Sequence, residues 1–162
     1  MTVAERVSDG WYGFLGRIRH RDSDSVAVRA GGGFEALDGH KHCLVVSYRR
    51  TGEAMPTPVW SGLADRKLYF RTEERVGKVK RIRANGRVLV APCDSRGKPL
   101  GPAIEARARI LPPAQEREAE SAIQANFGLG RRFYKAVVMR FGAEVVYVEV
   151  TPMEESGGGA SR

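Results

Sequence analysis

The segment Tyr69-Phe70-Arg71-Thr72-Glu73-Glu74-Arg75-Val76-Gly77-Lys78-Val79-Lys80-Arg81 concentrates the residue types best suited to holding a ligand. A hydroxyl at Thr72 and cations at Arg71, Lys78 and Arg81 surround a glycine that can open a short helix. A helix start presents backbone N–H groups without intrahelical partners and the positive end of the helix dipole, which together attract an anion. Lys78 and Arg81 would add charge-assisted bonds to phosphate oxygens. A solvated basic helix covering a sheet edge is the competing reading. The coincidence of charge and helix start favours the anion seat.

The charge of the whole chain points to the same place. The net charge is +8, and between Arg66 and Lys98 eleven Lys or Arg stand against three acids, Glu73, Glu74 and Asp94, so this one segment carries the entire excess. Such a concentrated field draws phosphates, polycarboxylates or nucleic acid from a distance. Nucleic acid is disfavoured, because Tyr69 and Phe70 are consecutive on a strand and point to opposite faces, a poor platform for stacking bases.

Other chemistry finds little support. Cys43 and Cys93 are the two cysteines and lack metal-ligand spacing, so they read as reduced, buried thiols. His40 and His42 share the spacing of one strand face, but with no third ligand nearby they are assigned no metal, and no metal site is expected. No G-x-S-x-G, H-E-x-x-H or G-x-G-x-x-G pattern occurs, and Gly31-Gly32-Gly33 follows no strand. Arg131-Arg132 after Gly130 reads equally as a pocket cap or as a surface pair at a helix start.

The elements that must position the anion seat are mainly β. Cys43–Tyr48, Pro56–Ser61 and Lys67–Thr72 read as an antiparallel meander, split by turn-like residues at 50–53 and 64–66. Val88–Ala91 is a short buried strand. Ala103–Leu111 alternates Ile104, Ala106, Ala108 and Ile110 with Glu105, Arg107 and Arg109, the mark of a half-solvated strand, and Glu144–Val150 is a sixth. Gly77–Ala84 predicts one or two helical turns. Pro113 suits the first turn of a helix with Ala119, Ala122, Ile123 and Phe127 on one face, ended by Gly128, and Arg131–Phe141 predicts another, stopped by Gly142. Six short strands with helices late in the order fit a small antiparallel barrel better than a doubly wound sheet.

With 162 residues, 42% hydrophobic and 28% charged, the chain is expected to be one globular domain. Residues 1–33 read as a flexible arm in which Trp11–Leu15 could dock locally, 34–152 as the domain and 153–162 as a disordered tail. No apolar run approaches the roughly 20 residues that span a bilayer, and the first residues lack a signal-peptide core, so a cytoplasmic location without membrane contact is expected.

Four blocks carry a resemblance: Met55-Pro56-Thr57-Pro58-Val59-Trp60; Lys67 to Thr72; Gly77-Lys78-Val79-Lys80-Arg81-Ile82-Arg83; and Val90-Ala91-Pro92-Cys93-Asp94 with Arg96-Gly97. In this order and spacing they resemble the F420-dependent branch of the pyridoxamine-phosphate-oxidase-like proteins, and Tyr147–Pro152 is similar to that family's closing strand. The resemblance covers about Phe34 to Pro152. It implies a split β-barrel of the FMN-binding-like, six-stranded antiparallel Greek-key type, and a homodimer with two equivalent cofactor sites across the subunit interface. Arg71, Thr72, Gly77 and Lys78, with Arg81 as an addition, are similar to the family's phosphate-end contacts. Thr57, Pro58, Val59 and Trp60 resemble the strand along the cofactor ring, although a tryptophan on a barrel strand also serves packing. Pro92, Cys93 and Asp94 resemble a neighbouring approach to the site. Arg66-Lys67 departs from the family at a hairpin tip where relatives often carry glycine.

The resemblance implies an oxidoreductase that transfers hydride between coenzyme F420 and a small unsaturated organic acceptor. In such a protein the cofactor does the chemistry and the polypeptide binds, orients and shields it, so no catalytic residue is assigned. An FMN-dependent oxidoreductase is the first alternative, and a non-catalytic carrier of flavin or haem the second.

Overall fold

The computed structural model describes residues 28–29, 32–127 and 144–153. The expected helix over Arg131–Phe141, the Arg131-Arg132 pair, the Gly128 and Gly142 stops, the Trp11–Leu15 stretch and the segment after Met153 lie outside those residues. Among the described residues, no helix is long and apolar enough to cross a membrane.

Strands β1 (Val28–Arg29), β2 (His42–Tyr48), β3 (Ala54–Ala64) and β4 (Lys67–Glu73) are followed by helix α1 (Gly77–Ala84). Strands β5 (Arg87–Cys93) and β6 (Ala103–Ile110), helix α2 (Glu116–Phe127) and strand β7 (Val145–Pro152) complete the order. The sheet runs β1-β6-β5-β2-β3-β4-β7, and β7 returns to pair with β6. The six strands β2 to β7 therefore close into an antiparallel barrel, the mainly β split-barrel fold that the resemblance implies.

All six expected strands form, most of them longer than the alternation alone marks, because ladder pairing extends each one as far as its partner reaches. The limits of α1 agree with the expected Gly77–Ala84, and Pro113 opens a 3₁₀ turn leading into α2. The two-residue β1 was not expected; it pairs in parallel with Ala103 and Ile104, contacts that leave no local trace in the sequence.

Alternation explains the layers. Inside the barrel lie Cys43 and Val45 of β2, Val59 of β3, Leu68 and Phe70 of β4, Val88 and Val90 of β5, Ile104, Ala106 and Ala108 of β6, and Val148 and Val150 of β7, with Ile82 of α1 among them. Outside, α2 lays Ala119, Ala122 and Ile123 on Tyr69, Tyr147 and Leu111. A third cluster of Leu44, Val46, Ala91, Cys93 and Ala103 backs β2 and β5, which is why β2 is buried on both faces.

The barrel is not paired all round. β3 bonds to β2 from Ala54 to Trp60, but to β4 only from Ser61 to Ala64, opposite Lys67 to Phe70. Beyond Phe70, β4 pairs with β7 through Glu73, and no described strand bridges it back to β3. An open seam thus separates Pro56–Trp60 from Arg71–Glu73. Its cause can be read from two prolines. Ser61 N donates to Lys41 O (3.2 Å), so by alternation Thr57 and Val59 turn their main-chain groups toward β2, while Pro56 and Pro58 turn theirs toward the seam. Proline has no N–H for a ladder on that side, so this edge cannot zip onto β4.

The hairpin tip at the other end of β3 is made without glycine. Asp65 (φ 49°) and Arg66 (φ 63°) both adopt the left-handed conformation that a two-residue turn of matching twist demands. Arg66 thus holds a position where glycine would sit at no cost.

Candidate functional site

The expected site residues lie on four elements, β3, β4, α1 and β5, with Asp94 just beyond the last. Thr57, Pro58, Val59 and Trp60 form one lip of the seam, and Arg71 and Thr72 the other. Gly77, Lys78 and Arg81 lie on α1, just beyond the second lip. Pro92 and Cys93 pair with Cys43 and His42 on the far side of β2 from β3, two strands away and on the order of 10 Å. Arg71, Thr72, Gly77, Lys78 and Arg81 thus run from β4 into α1, across the seam from the β3 residues, and the β5 residues flank β2 on its other side.

Within each lip, consecutive residues diverge. Val59 is a core residue and Thr57 shares its inward parity, whereas Pro58 and Trp60 turn outward. Trp60 meets the His42 ring edge-on at 5.8 Å between centroids, a packing contact outside the core. Thr72 follows Leu68 and Phe70 inward, while Arg71 turns outward and sets its guanidinium over the Tyr147 ring at 5.9 Å. Asp94 organises the β5–β6 turn: its Oδ1 accepts from the N–H groups of Arg96 and Lys98, both at 2.9 Å. Cys93 and Cys43 are buried and reduced, as expected. Burial pushes their thiols up to about 12 and about 11, so neither is a thiolate nucleophile.

The start of α1 has the features of an oxyanion seat. Val76 stands at the N-cap and no side chain caps the helix; Val79 N donates to Val76 O at 3.1 Å, while the N–H groups of Gly77 and Lys78 precede any intrahelical partner. Lys78 is half-buried. Desolvation first, and then the nearby charge of Arg81, pull its ammonium down to about 8, against the opposing charge of Glu73. Arg81 donates from Nε to Ser47 Oγ at 2.8 Å. Among the described residues, neither cation has a carboxylate in ion-pair contact. The Thr72 Oγ1 atom is buried and, among the described residues, has no hydrogen-bond partner. A buried hydroxyl without a partner costs roughly 1–3 kcal/mol, so a group that completes it, whether a water, an ion or a ligand, is favoured there. This donor set fits the phosphate end of a flavin-type cofactor.

Sequence reasoning missed Ser47. Its signal was available: it has the inward parity of Cys43 and Val45, so a hydroxyl was bound to face the barrel interior under α1.

Two clefts lie elsewhere. One of about 180 Å³ runs between the Glu35–Leu37 turn, β3 and α2. Another of about 860 Å³ follows the end of α1, β6 and β7. Neither is lined by an expected site residue, so the seat is a surface of the chain at the seam rather than part of these hollows.

No protein-family model and no curated protein matches the sequence. Solved structures do match its fold. An FAD-binding protein from Mesorhizobium loti superposes with a TM-score of 0.54 at 16% identity, covering 74% of this chain and 84% of that one. HutZ, the heme storage protein of Vibrio cholerae, gives 0.54 at 10%, covering 75% and 87%. The protein Rv2991 of Mycobacterium tuberculosis gives 0.51 at 13%, covering 78% and 91%. The likeness is one of architecture, a closed six-stranded antiparallel barrel with helices packed on it.

Proposed function

We propose that this split-barrel chain is an oxidoreductase that binds coenzyme F420 at the seam and transfers hydride between it and a small unsaturated organic acceptor, as a homodimer in which the second copy supplies the other wall of the site. The observation that carries the reading is the meeting, beside the open seam, of an uncapped helix start, two cations without carboxylate partners and the orphaned Thr72 hydroxyl. The four sequence blocks supply the choice of F420, and the basic segment suits a phosphate followed by a carboxylate-rich tail.

When bound, the cofactor supplies the ring atom that takes and gives hydride. The chain does the rest. Gly77 and Lys78 would hold the phosphate through main-chain N–H groups and the ammonium, Arg81 would add its guanidinium, and Thr72 would donate its hydroxyl. Thr57 to Trp60 would set the ring against a lip whose prolines leave no ladder donors to compete. Pro92 and Cys93 would bound the site on the β5 side, where burial keeps the Cys93 thiol protonated. No general acid or base is required of the polypeptide.

Titration of the protein with F420 and with FMN, followed by fluorescence, tests the cofactor. Binding of F420 with turnover of reduced F420 by an organic acceptor is expected. Tight FMN binding without F420 binding would move the assignment to FMN. A bound reduced cofactor that no acceptor oxidises would make the protein a carrier. Replacement Lys78→Ala is expected to weaken cofactor binding by about 1–3 kcal/mol, the usual scale for losing a charge-assisted bond. An unchanged dissociation constant places the phosphate elsewhere.

A further inference from the structure

Arg81 owes its place to two residues, one on β2 and one on its own helix. Ser47, at the end of β2, is 1% exposed and accepts the Nε–H of Arg81 at 2.8 Å. Gly77, four residues before Arg81 on α1, leaves the space in which the guanidinium lies: a Cβ at Gly77 would stand 2.8 Å from Nη1. Helical side chains lean toward the N-terminus, so a long residue at the i+4 position naturally reaches back over the first turn. Gly77 is not among the residues with positive φ, so its backbone asks for no glycine. Glycine opening a helix costs stability relative to alanine, and here it does so where a side chain would collide with a guanidinium.

We propose that Ser47 is a positioning residue for the anion seat, and that Gly77 is its counterpart: together they aim the free Nη1 and Nη2 groups of Arg81 across the start of α1 at the phosphate of the ligand. Arginine has five N–H donors in a planar fork. With Nε committed to Ser47, the side of the fork left for an oxyanion is the end formed by Nη1 and Nη2, so the pair fixes direction as well as location. The arrangement selects for the phosphate rather than the ring, because Ser47 is buried at the α1 end of the barrel and touches the ligand only through Arg81. The inference rests on the reading of the seam as a cofactor site, but it can be tested apart from it.

The experiment compares phosphorylated and dephosphorylated forms of one cofactor, F420 with its phosphate-free deazaflavin core and FMN with riboflavin, on the parent chain, Ser47→Ala, Ser47→Thr and Gly77→Ala. Ser47→Ala is expected to weaken binding of the phosphorylated form about tenfold, the scale of one charge-assisted bond, and to leave the phosphate-free form within twofold. Ser47→Thr keeps the acceptor and is expected to restore the affinity. Gly77→Ala displaces only the far end of a flexible side chain, so it is expected to fold and to show the same selective loss. Equal loss for both forms, or none, overturns the proposal.

Inorganic pyrophosphate, followed by thermal shift, probes the same seat without a ring. A stabilisation of the parent that is lost in Ser47→Ala supports the proposal even if no flavin binds, an outcome that would remove the proposed function alone. Absence of any pyrophosphate effect on the parent, together with no loss of cofactor affinity in Ser47→Ala, overturns it.

Discussion

The two ends of the β3–β4 pair treat polar groups in opposite ways. At the closed end, beneath α2, the buried polar groups meet partners. Glu149, 6% exposed, accepts from Arg109 (2.9 Å) and from the Tyr69 hydroxyl (3.2 Å) and pairs with Lys67 (3.4 Å). Burial alone would raise the pKa of its carboxyl, but the bond and charge of Arg109, with Lys67 and Tyr69, outweigh it and hold Glu149 below its ordinary range. Asn126 donates to the carbonyls of His40 and Ser61, and the Tyr147 hydroxyl bonds Glu120. At the open end, the same two strands part, Thr72 Oγ1 has no partner and Lys78 keeps its charge against desolvation and against Arg81. One end is finished as structure and the other is left for something to complete. Where partners run out is a better guide to a site than where charge is densest.

Four changes would break or sharpen that contrast. The largest effect belongs to the closed end. A Cβ at Gly62 would lie 2.2 Å from the Ala122 carbonyl oxygen and 2.7 Å from the Ile123 Cα, both backbone atoms of α2. Gly62→Ala is therefore expected to lower stability by about 3 kcal/mol or more, read as a fall in the denaturation midpoint. A neutral result would mean that α2 does not seat closely on β3.

At the open end, the depressed pKa of Lys78 predicts a pH effect. Its ammonium loses the proton as pH rises through about 8. Affinity for the phosphorylated cofactor is then expected to fall above pH 8, by up to about tenfold per unit, while a Lys78→Met protein shows weak and flat binding. Stability should move the other way: between pH 8 and the ordinary lysine range the unfolded chain holds the proton that the folded chain has released, so this group favours folding more as pH rises. A parent affinity that stays constant from pH 7 to 9.5 would remove Lys78 from the seat.

Thr72→Val removes the orphaned hydroxyl at nearly constant shape. It is expected to leave stability unchanged or raise it by about 1 kcal/mol, and to weaken binding of the phosphorylated cofactor. If chemical denaturation instead shows a loss of stability, the hydroxyl had a partner and the contrast between the ends narrows. The smallest effect is at the hairpin tip, where Arg66→Gly relieves a left-handed backbone and should gain about 1 kcal/mol in melting experiments without touching ligand affinity. A loss there would show that the arginine side chain is worth more than its strain.

Much of this molecule was legible in its residues. Alternation places Val59, Phe70, Val90, Ile104 and Val148 on one face of their strands, and the run from Gly77 to Arg81 announces a cationic helix start, because both signals are carried by neighbours in the chain. The prolines at 56 and 58 were visible too, but what they do, holding one edge of β3 away from β4, depends on which strand would have paired there. The parallel contact of β1 with β6, the bond from Arg81 to Ser47 and the solitude of the Thr72 hydroxyl were decided by tertiary structure alone. Each is a matter of which distant group arrives or fails to arrive, and hydrogen-bond satisfaction is a property of the assembled barrel that no local pattern encodes.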